Sequence, residues 1–369
     1  MEIGNTTSFW VNYSTFNHPP DTMLNTSGKV TSSISNNQGS WTESGITEIF
    51  FTFDKPATVV LFALYIPIFV VALFANVLVI YIVMRFKAMR RAKNLFIFSL
   101  ALADLGVTFI CMPVSLGVIV YKVWIYGAAL CKLSWYMQGV CVATSILTLQ
   151  AMALDRYISI RHPMSGNRLK TSKQIIQILA GIWVFSLLFL GPILYVRQVD
   201  SYAHLPVIGS LDFCAEKWPR PDGKDKMAYG ILLLLIVYVI PCAVVAVCYA
   251  FIGKTLFSKE LQKESDINNT TSTLIRGRKR AARTLIGLII VFICCWLPYN
   301  ITSMYLDVVS TETDELKMLP FTLWLGHAHS ALNPVLYCLF NKRFGKYIKK
   351  AFTCKKEDYK APHLANHFG

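Results

Sequence analysis

Residues 131–163 read CKLSWYMQGVCVATSILTLQAMALDRYISIRHP. Between Lys132 and Asp155 lie 22 residues without a formal charge, long enough to cross a bilayer as one helix. At ~1.5 Å per residue, Cys131 and Arg156 are separated by ~37 Å, which puts them at opposite membrane surfaces. At ~100° per residue, Gln138, Ser145 and Arg156 fall within ~20° of one another. One face of this helix therefore carries a carboxamide near one end, a hydroxyl at mid-depth and a cation at the other end. A helix that only filled a bundle would have no need of such a stripe.

Composition supports a membrane setting. Of 369 residues, 54% are apolar and 15% charged, with a mean hydropathy of +0.46; a soluble chain carries about 25% charged residues. The net charge of +15 would suggest nucleic acid in a soluble protein, but in a membrane protein it raises the question of sidedness, and no nucleic-acid partner is expected. The opening MEIGNTTSFW has neither a basic n-region nor an apolar h-region, so a cleaved signal peptide is not expected and the first helix acts as its own insertion signal.

Seven apolar blocks follow a polar tail, at about 57–84, 95–120, 132–160, 175–196, 228–252, 284–306 and 319–340. The fold expected is an all-α membrane protein, a seven-transmembrane helix bundle with a short amphipathic eighth helix. The chain divides into a disordered tail (1–54), the seven-span domain (55–340), an amphipathic juxtamembrane helix (341–354) and a second tail (355–369). Loops after the odd blocks, with the C-terminal segment, hold 25 Lys and Arg, whereas the tail and the even loops hold 10, counting Lys132 at the outer edge of the third block. The positive-inside rule then places the N-terminus outside and the C-terminus in the cytoplasm. The N-x-S/T sequons at Asn5, Asn12 and Asn25 agree, since glycosylation needs an extracellular tail.

Polar groups inside spans are costly and face the bundle interior. Asn76, Asp104, Ser145, Asn300, His327, His329, Ser330 and Asn333 are the main cases. Asp104 is the one carboxylate at mid-span depth. It is expected to be protonated, hydrogen-bonded to partners such as Asn76, Ser145 and Asn333, or paired with a cation. Two readings stay open, a cation or proton site coupled to a conformational change and a static polar knot. Pro113, Pro192, Pro241, Pro298 and Pro334 lie inside spans and are candidate kinks.

Of ten cysteines, Cys131 and Cys214 alone fall on the outer side and are expected to form a disulfide. Cys354 follows the basic amphipathic run FNKRFGKYIKKAF and is a candidate palmitoylation site. No nucleophile–base constellation, phosphate loop, dinucleotide fingerprint or metal cluster occurs, and His327 and His329, two apart on a helix, do not share a face. Neither an enzyme nor a resident cofactor is expected.

Taken together, Asn76 in FANVLV, Asp104 in SLALADL, Trp124, Cys131, Asp155-Arg156-Tyr157, Trp183, Pro241, Cys295-Trp296-Leu297-Pro298 and Asn333-Pro334-Val335-Leu336-Tyr337 resemble the rhodopsin-like (class A) G-protein-coupled receptors. The likeness runs from about residue 57 to 354. It implies that Arg156 pairs with Asp155 at rest and swings to meet a G protein. It implies that Asp104, Ser145 and Asn333, with Asn76, form an ion pocket with a candidate sodium ion at Asp104. Trp296 would be a switch below the ligand, and Ile146, Pro241 and Phe292 a packing trio beneath it. Tyr249 and Tyr337 would meet in the active state, and Pro298 and Pro334 would be hinges. Three positions depart from the pattern: Ala75 replaces a Gly, Arg278 stands where some members keep a Glu that locks Arg156, and His329 replaces an Asn.

Within that family, Gln138 stands where monoamine receptors have an Asp, which argues against a monoamine, and block 7 has no Lys for a retinal Schiff base. Gln138 is similar to the pattern of neuropeptide Y, neuropeptide FF and RFamide-type receptors, and Asp307 matches a position where those receptors hold an Arg of an amidated peptide. Asp212 and Glu216, in LDFCAEKWP, would add an acidic rim above a pocket lined by Gln138, Trp296, Asn300 and His327. The resemblance thus implies a plasma-membrane receptor for a basic, amidated peptide. It would signal through heterotrimeric G proteins by opening its cytoplasmic side, with arrestin and the lipid bilayer as further partners. The alternatives are a receptor of the same fold for a small molecule or lipid and, more remotely, a proton or cation transporter built on Asp104.

Overall fold

The computed structural model describes residues 56–90, 92–121, 123–161, 171–205, 209–220, 224–263, 269–309, 314–340 and 342–352. Asn5, Asn12, Asn25 and Cys354 lie outside them.

Seven long helices follow the seven apolar blocks. They are α1 (Pro56–Arg85); α2 (Ala92–Gly106, a π turn Val107–Cys111, then Met112–Val120); α3 (Gly127–Arg161); α4 (Ser172–Phe189, with a further turn Pro192–Val196); α5 (Lys224–Leu233, a π turn Leu234–Val239, then Ile240–Lys263); α6 (Asn269–Val309); and α7 (Asp314–Phe340). A last helix, α8, spans Lys342–Phe352. Helices α1 to α6 each hold a stretch long and apolar enough to cross a membrane. Helix α7 carries His327, His329, Ser330 and Asn333, all buried, so its polar groups point into the bundle rather than toward lipid.

Outward faces are apolar. On α1, Val59, Ile66, Val70, Phe74, Val77, Tyr81 and Met84 are exposed, while Leu61, Tyr65, Ala72, Asn76 and Val79 are buried. Spacings of three, four and seven residues within each set mark two faces of one helix. Helix α3 is the hub: 72% of its apolar window is buried against 22% for α4, and it touches α2, α4, α5 and α6. Helix α1 packs on α2 and α7, and α6 packs on α5 and α7, closing the ring.

Local signals explain several ends. Thr171 caps α4 in a capping box with Gln174, the two exchanging backbone-to-side-chain bonds of 3.4 Å. Gly127 opens α3 at φ 73°, a left-handed conformation suited to glycine, and its carbonyl accepts from Trp124 Nε1 at 2.8 Å. The prolines act unequally. Pro113 and Pro241 each stand two residues after the end of a π turn, and Pro192 restarts α4 after a break at residues 190–191, whereas Pro298 and Pro334 lie within continuous helix. In α8, Phe344 is buried and Tyr347 packs on Phe86 with ring centroids 4.9 Å apart.

The link between α4 and α5 is an antiparallel hairpin of β1 (Arg197–Leu205) and β2 (Gly209–Glu216). It pairs Arg197 with Glu216 and Val199 with Cys214, with an irregularity between Ser201 and His204. The Cys131–Cys214 disulfide ties β2 to the first turns of α3, and Trp124 N donates to Asp212 O at 2.7 Å.

Candidate ligand-binding site and polar core

The hairpin end is held by a buried ionic cluster. Arg197 has a side-chain exposure of 0%, and its Nη2 is 3.1 Å from Oε2 of Glu216, itself 1% exposed in the side chain. Lys226 Nζ lies 3.9 Å from the same oxygen, and Trp218 Nε1 donates to Glu216 Oε1 at 2.5 Å. The guanidinium sits 4.9 Å over the Trp135 ring, a cation–π contact strengthened by exclusion of water. Burial pulls the Arg197 pKa down, and the adjacent carboxylate of Glu216 opposes that shift. Glu216, expected as an open rim acid, is thus turned inward and engaged by the protein. Asp212 is half-buried and accepts from Ser201 Oγ at 2.6 Å. Asp307 lies near the end of α6, with its side chain outside the described residues.

Below the hairpin, Gln138 on α3 and His327 on α7 meet, His327 Nε2 standing 3.4 Å from Gln138 Oε1. On the other side of the ring, Nδ1 is 3.1 Å from the hydroxyl of Tyr65 on α1. All three side chains are almost wholly buried. Trp296 lies edge-on to His327, with ring centroids 6.4 Å apart. Gly326 packs against Trp296 so closely that a Cβ there would fall 2.9 Å from the indole. Asn300 is buried in the same layer, one turn above Trp296 on α6.

At mid-bundle, Asn333 Nδ2 donates to Asp104 Oδ2 at 3.0 Å, and His329 Nδ1 lies 4.0 Å from Asp104 Oδ1. Ser145 is buried on α3. The expected bond from Asn76 to Asp104 is not made. Asn76 instead donates to Ala72 O and Ser330 O, each at 2.9 Å, which fastens α1 to α7. Ile146 and Phe292 are fully buried, and Phe292 meets His329 edge to face at 5.2 Å.

Toward the far end of α3, Arg156 Nη2 is 3.5 Å from Asp155 Oδ2, and Tyr157 packs on Phe251 of α5 at 6.0 Å. The hydroxyls of Tyr249 and Tyr337 are buried and hydrogen-bond to no other described residue. The structure thus brings together Gln138 with His327, Asp104 with Asn333, Asp155 with Arg156, and Cys131 with Cys214. Two residues that matter here escaped the sequence reading. Tyr65 sits in an apolar block and looks like packing. Arg197 looks like one more loop cation, although its place just after a span and its distance from Glu216 across a hairpin were available signals.

Residues 75–337 match the family model described as 7 transmembrane receptor (rhodopsin family). The chain is 34% identical over 292 residues to the RYamide receptor of Drosophila melanogaster, covering 78% of this chain and 61% of that protein. It is 30% identical to the pyroglutamylated RF-amide peptide receptor of Rattus norvegicus, covering 80% of this chain and 70% of that protein. It is 28% identical to neuropeptide FF receptor 2 of Mus musculus, over 86% and 78% respectively. On the helix order, the disulfide and this match together, the chain belongs to the rhodopsin family of seven-transmembrane receptors, multi-pass membrane proteins that are receptors rather than enzymes.

Proposed function

We propose that this chain is a plasma-membrane receptor for a basic peptide with an amidated C-terminus, and that ligand binding at the hairpin end opens the Arg156 end to a heterotrimeric G protein. The observation that carries the ligand class is Gln138, a neutral carboxamide only 3% exposed and held by His327. A neutral site favours a neutral terminal amide over a carboxylate, whose desolvation it could not repay. Three relatives named for peptide ligands support the reading. Asp307 and Asp212 are the acids that would receive a ligand arginine, with Asn300 and Trp296 lining the pocket. Glu216 serves it through the Arg197 cluster.

The mechanism is a population shift. Ligand contacts at Gln138 and His327 bear on Trp296, and the packing of Ile146, Pro241 and Phe292 relays the change. Helix α6 then swings at Pro298, with Pro334 yielding on α7, and Arg156 leaves Asp155. Tyr249 and Tyr337, unbonded at rest, gain partners in that second state. Asp104 with Ser145 and Asn333 has one carboxylate and neutral oxygens, a donor set suited to a hard monovalent cation. When bound, the cation would neutralise Asp104 in the resting arrangement. The tail carrying Asn5, Asn12 and Asn25 faces outward and is glycosylated. Helix α8 lies along the inner membrane surface with Cys354 palmitoylated, and arrestin engages the same inner face.

The test is a panel of synthetic peptides ending in Arg-Phe-amide or Arg-Tyr-amide, with their free-acid forms, on cells expressing the chain, read by calcium and cyclic AMP. Responses to amides with acids at least tenfold weaker are expected. Equal potency of acids and amides would overturn the ligand class.

A further inference from the structure

The contact between Gln138 and His327 extends one step further, to a residue on another helix. Tyr65 on α1, His327 on α7 and Gln138 on α3 form a single hydrogen-bonded row, with 3.1 Å from the Tyr65 hydroxyl to Nδ1 and 3.4 Å from Nε2 to Gln138 Oε1. Their exposures are 1%, 0% and 3%, so the row lies out of reach of bulk water. Gln138 Nε2 is buried and hydrogen-bonds to no other described residue.

A neutral imidazole has one donor and one acceptor nitrogen, and a neighbour at one nitrogen decides the role of the other. A phenol donates more strongly than it accepts, because its lone pair is conjugated with the ring. Tyr65 as donor leaves Nδ1 bare and places the proton on Nε2. That N–H then calls for an acceptor, which is Gln138 Oε1. With its oxygen so occupied, the carboxamide presents its two N–H groups on the opposite side. The reverse row, with Nδ1–H donating to Tyr65 and Gln138 flipped, uses the phenol in its weaker role.

We propose that Tyr65 is a positioning residue for ligand recognition: its hydroxyl sets the tautomer of His327 and, through it, turns the Gln138 carboxamide to offer N–H donors to a ligand carbonyl oxygen. Tyr65 itself need not touch the ligand. The inference rests on the reading of Gln138 as a ligand contact, and it adds the reason that this contact has a fixed polarity. Three helices that are distant in sequence thereby share one proton arrangement, so a ligand that bonds Gln138 also senses the spacing of α1, α3 and α7.

Two measurements test it. The first needs no ligand: nitrogen-15 NMR of histidine-labelled receptor in micelles, with the His327 signals assigned by their loss in His327→Asn. The wild type is expected to carry the proton on Nε2, and Tyr65→Phe to show a mixture or the Nδ1 form; an unchanged tautomer in Tyr65→Phe overturns the relay. The second uses a synthetic pentapeptide ending in Arg-Phe-amide, at matched surface expression. Tyr65→Phe and Gln138→Ala are each expected to lose about tenfold in potency, the size of one net hydrogen bond. The double variant should lose little more than either alone, because Tyr65 acts through Gln138. Additive losses, about a hundredfold in the double variant, would mean that Tyr65 only supports packing and would overturn the proposal. If no amidated peptide activates the wild type, the proposed ligand class falls, while the tautomer measurement still decides the relay.

Discussion

At the hairpin end, Arg197 and Glu216 are as deeply buried as Asp104 and Asn333 are at mid-bundle, yet the two pairs are bonded differently. Both Glu216 oxygens are engaged, by Arg197 and Lys226 on one and Trp218 on the other, and the guanidinium also has Trp135 beneath it. Asp104 is hydrogen-bonded by neutral side chains, Asn333 and Ser330, with a loose approach from His329. Around it, Asn333 Oδ1, His329 Nε2 and the Tyr337 hydroxyl bond to no other described residue. A carboxylate engaged by two cations and an indole is a clamp, because moving it breaks charge-assisted bonds. A cluster with unused capacity can gain bonds by moving, and each recovered buried hydrogen bond contributes about 1 kcal/mol. Rigidity therefore belongs where the hairpin must hold its place, and looseness where two arrangements must be close in energy.

The contrast is most easily broken at Glu216. Glu216→Ala leaves Arg197 and Lys226 buried without their anion, a loss of about 3–5 kcal/mol, and should sharply lower the melting temperature and surface yield of the receptor. Unchanged stability with weakened binding of a basic peptide would instead make Glu216 an open ligand contact. An intermediate effect is expected at the helix interface between the two regions. Gly326→Ala sets a methyl group against the Trp296 indole and should cost about 1–3 kcal/mol by overpacking. It should also alter basal signalling, measured as cyclic AMP or calcium without ligand, because the proposed mechanism has Trp296 move. The smallest change in stability is expected at Asp104. Asp104→Asn preserves size and can still bond Asn333, so stability should shift by less than about 1 kcal/mol. The agonist dose–response should move all the same. A loss as large as that of Glu216→Ala would show that mid-bundle is a clamp as well.

Much of this was legible from the order of residues. The helices contain the seven apolar blocks, since twenty uncharged residues in lipid have no alternative to a helix. The edges were less legible. Helix α6 begins at Asn269, well before the apolar block at 284, and α7 begins at Asp314. Hydropathy stops at the first charges, whereas Arg, Lys and Ala carry a helix onward by propensity. Pairing across the bundle was partly legible: a lone buried acid needs a donor, and Asn333 supplies it. That Asn76 would turn to the Ser330 carbonyl was not, because backbone carbonyls are present at every residue and leave no mark in the sequence. Tyr65 was hidden for a related reason. Its ring belongs in an apolar block, and only the neighbour across the bundle gives its hydroxyl a task.

The π turn at Leu234–Val239 carries a consequence for how α5 is compared with other helices. Such a turn accommodates one residue more than an α turn, which displaces every later side chain by about 100° of azimuth relative to uninterrupted counting. The segment Lys224–Leu233 and the segment Ile240–Lys263 are thus two helices in different phase, sharing one axis. Transplanting the upper half from a relative without the widened turn requires deleting one residue at the junction. Without that deletion, the side chains meant for the bundle interior would be delivered to the lipid.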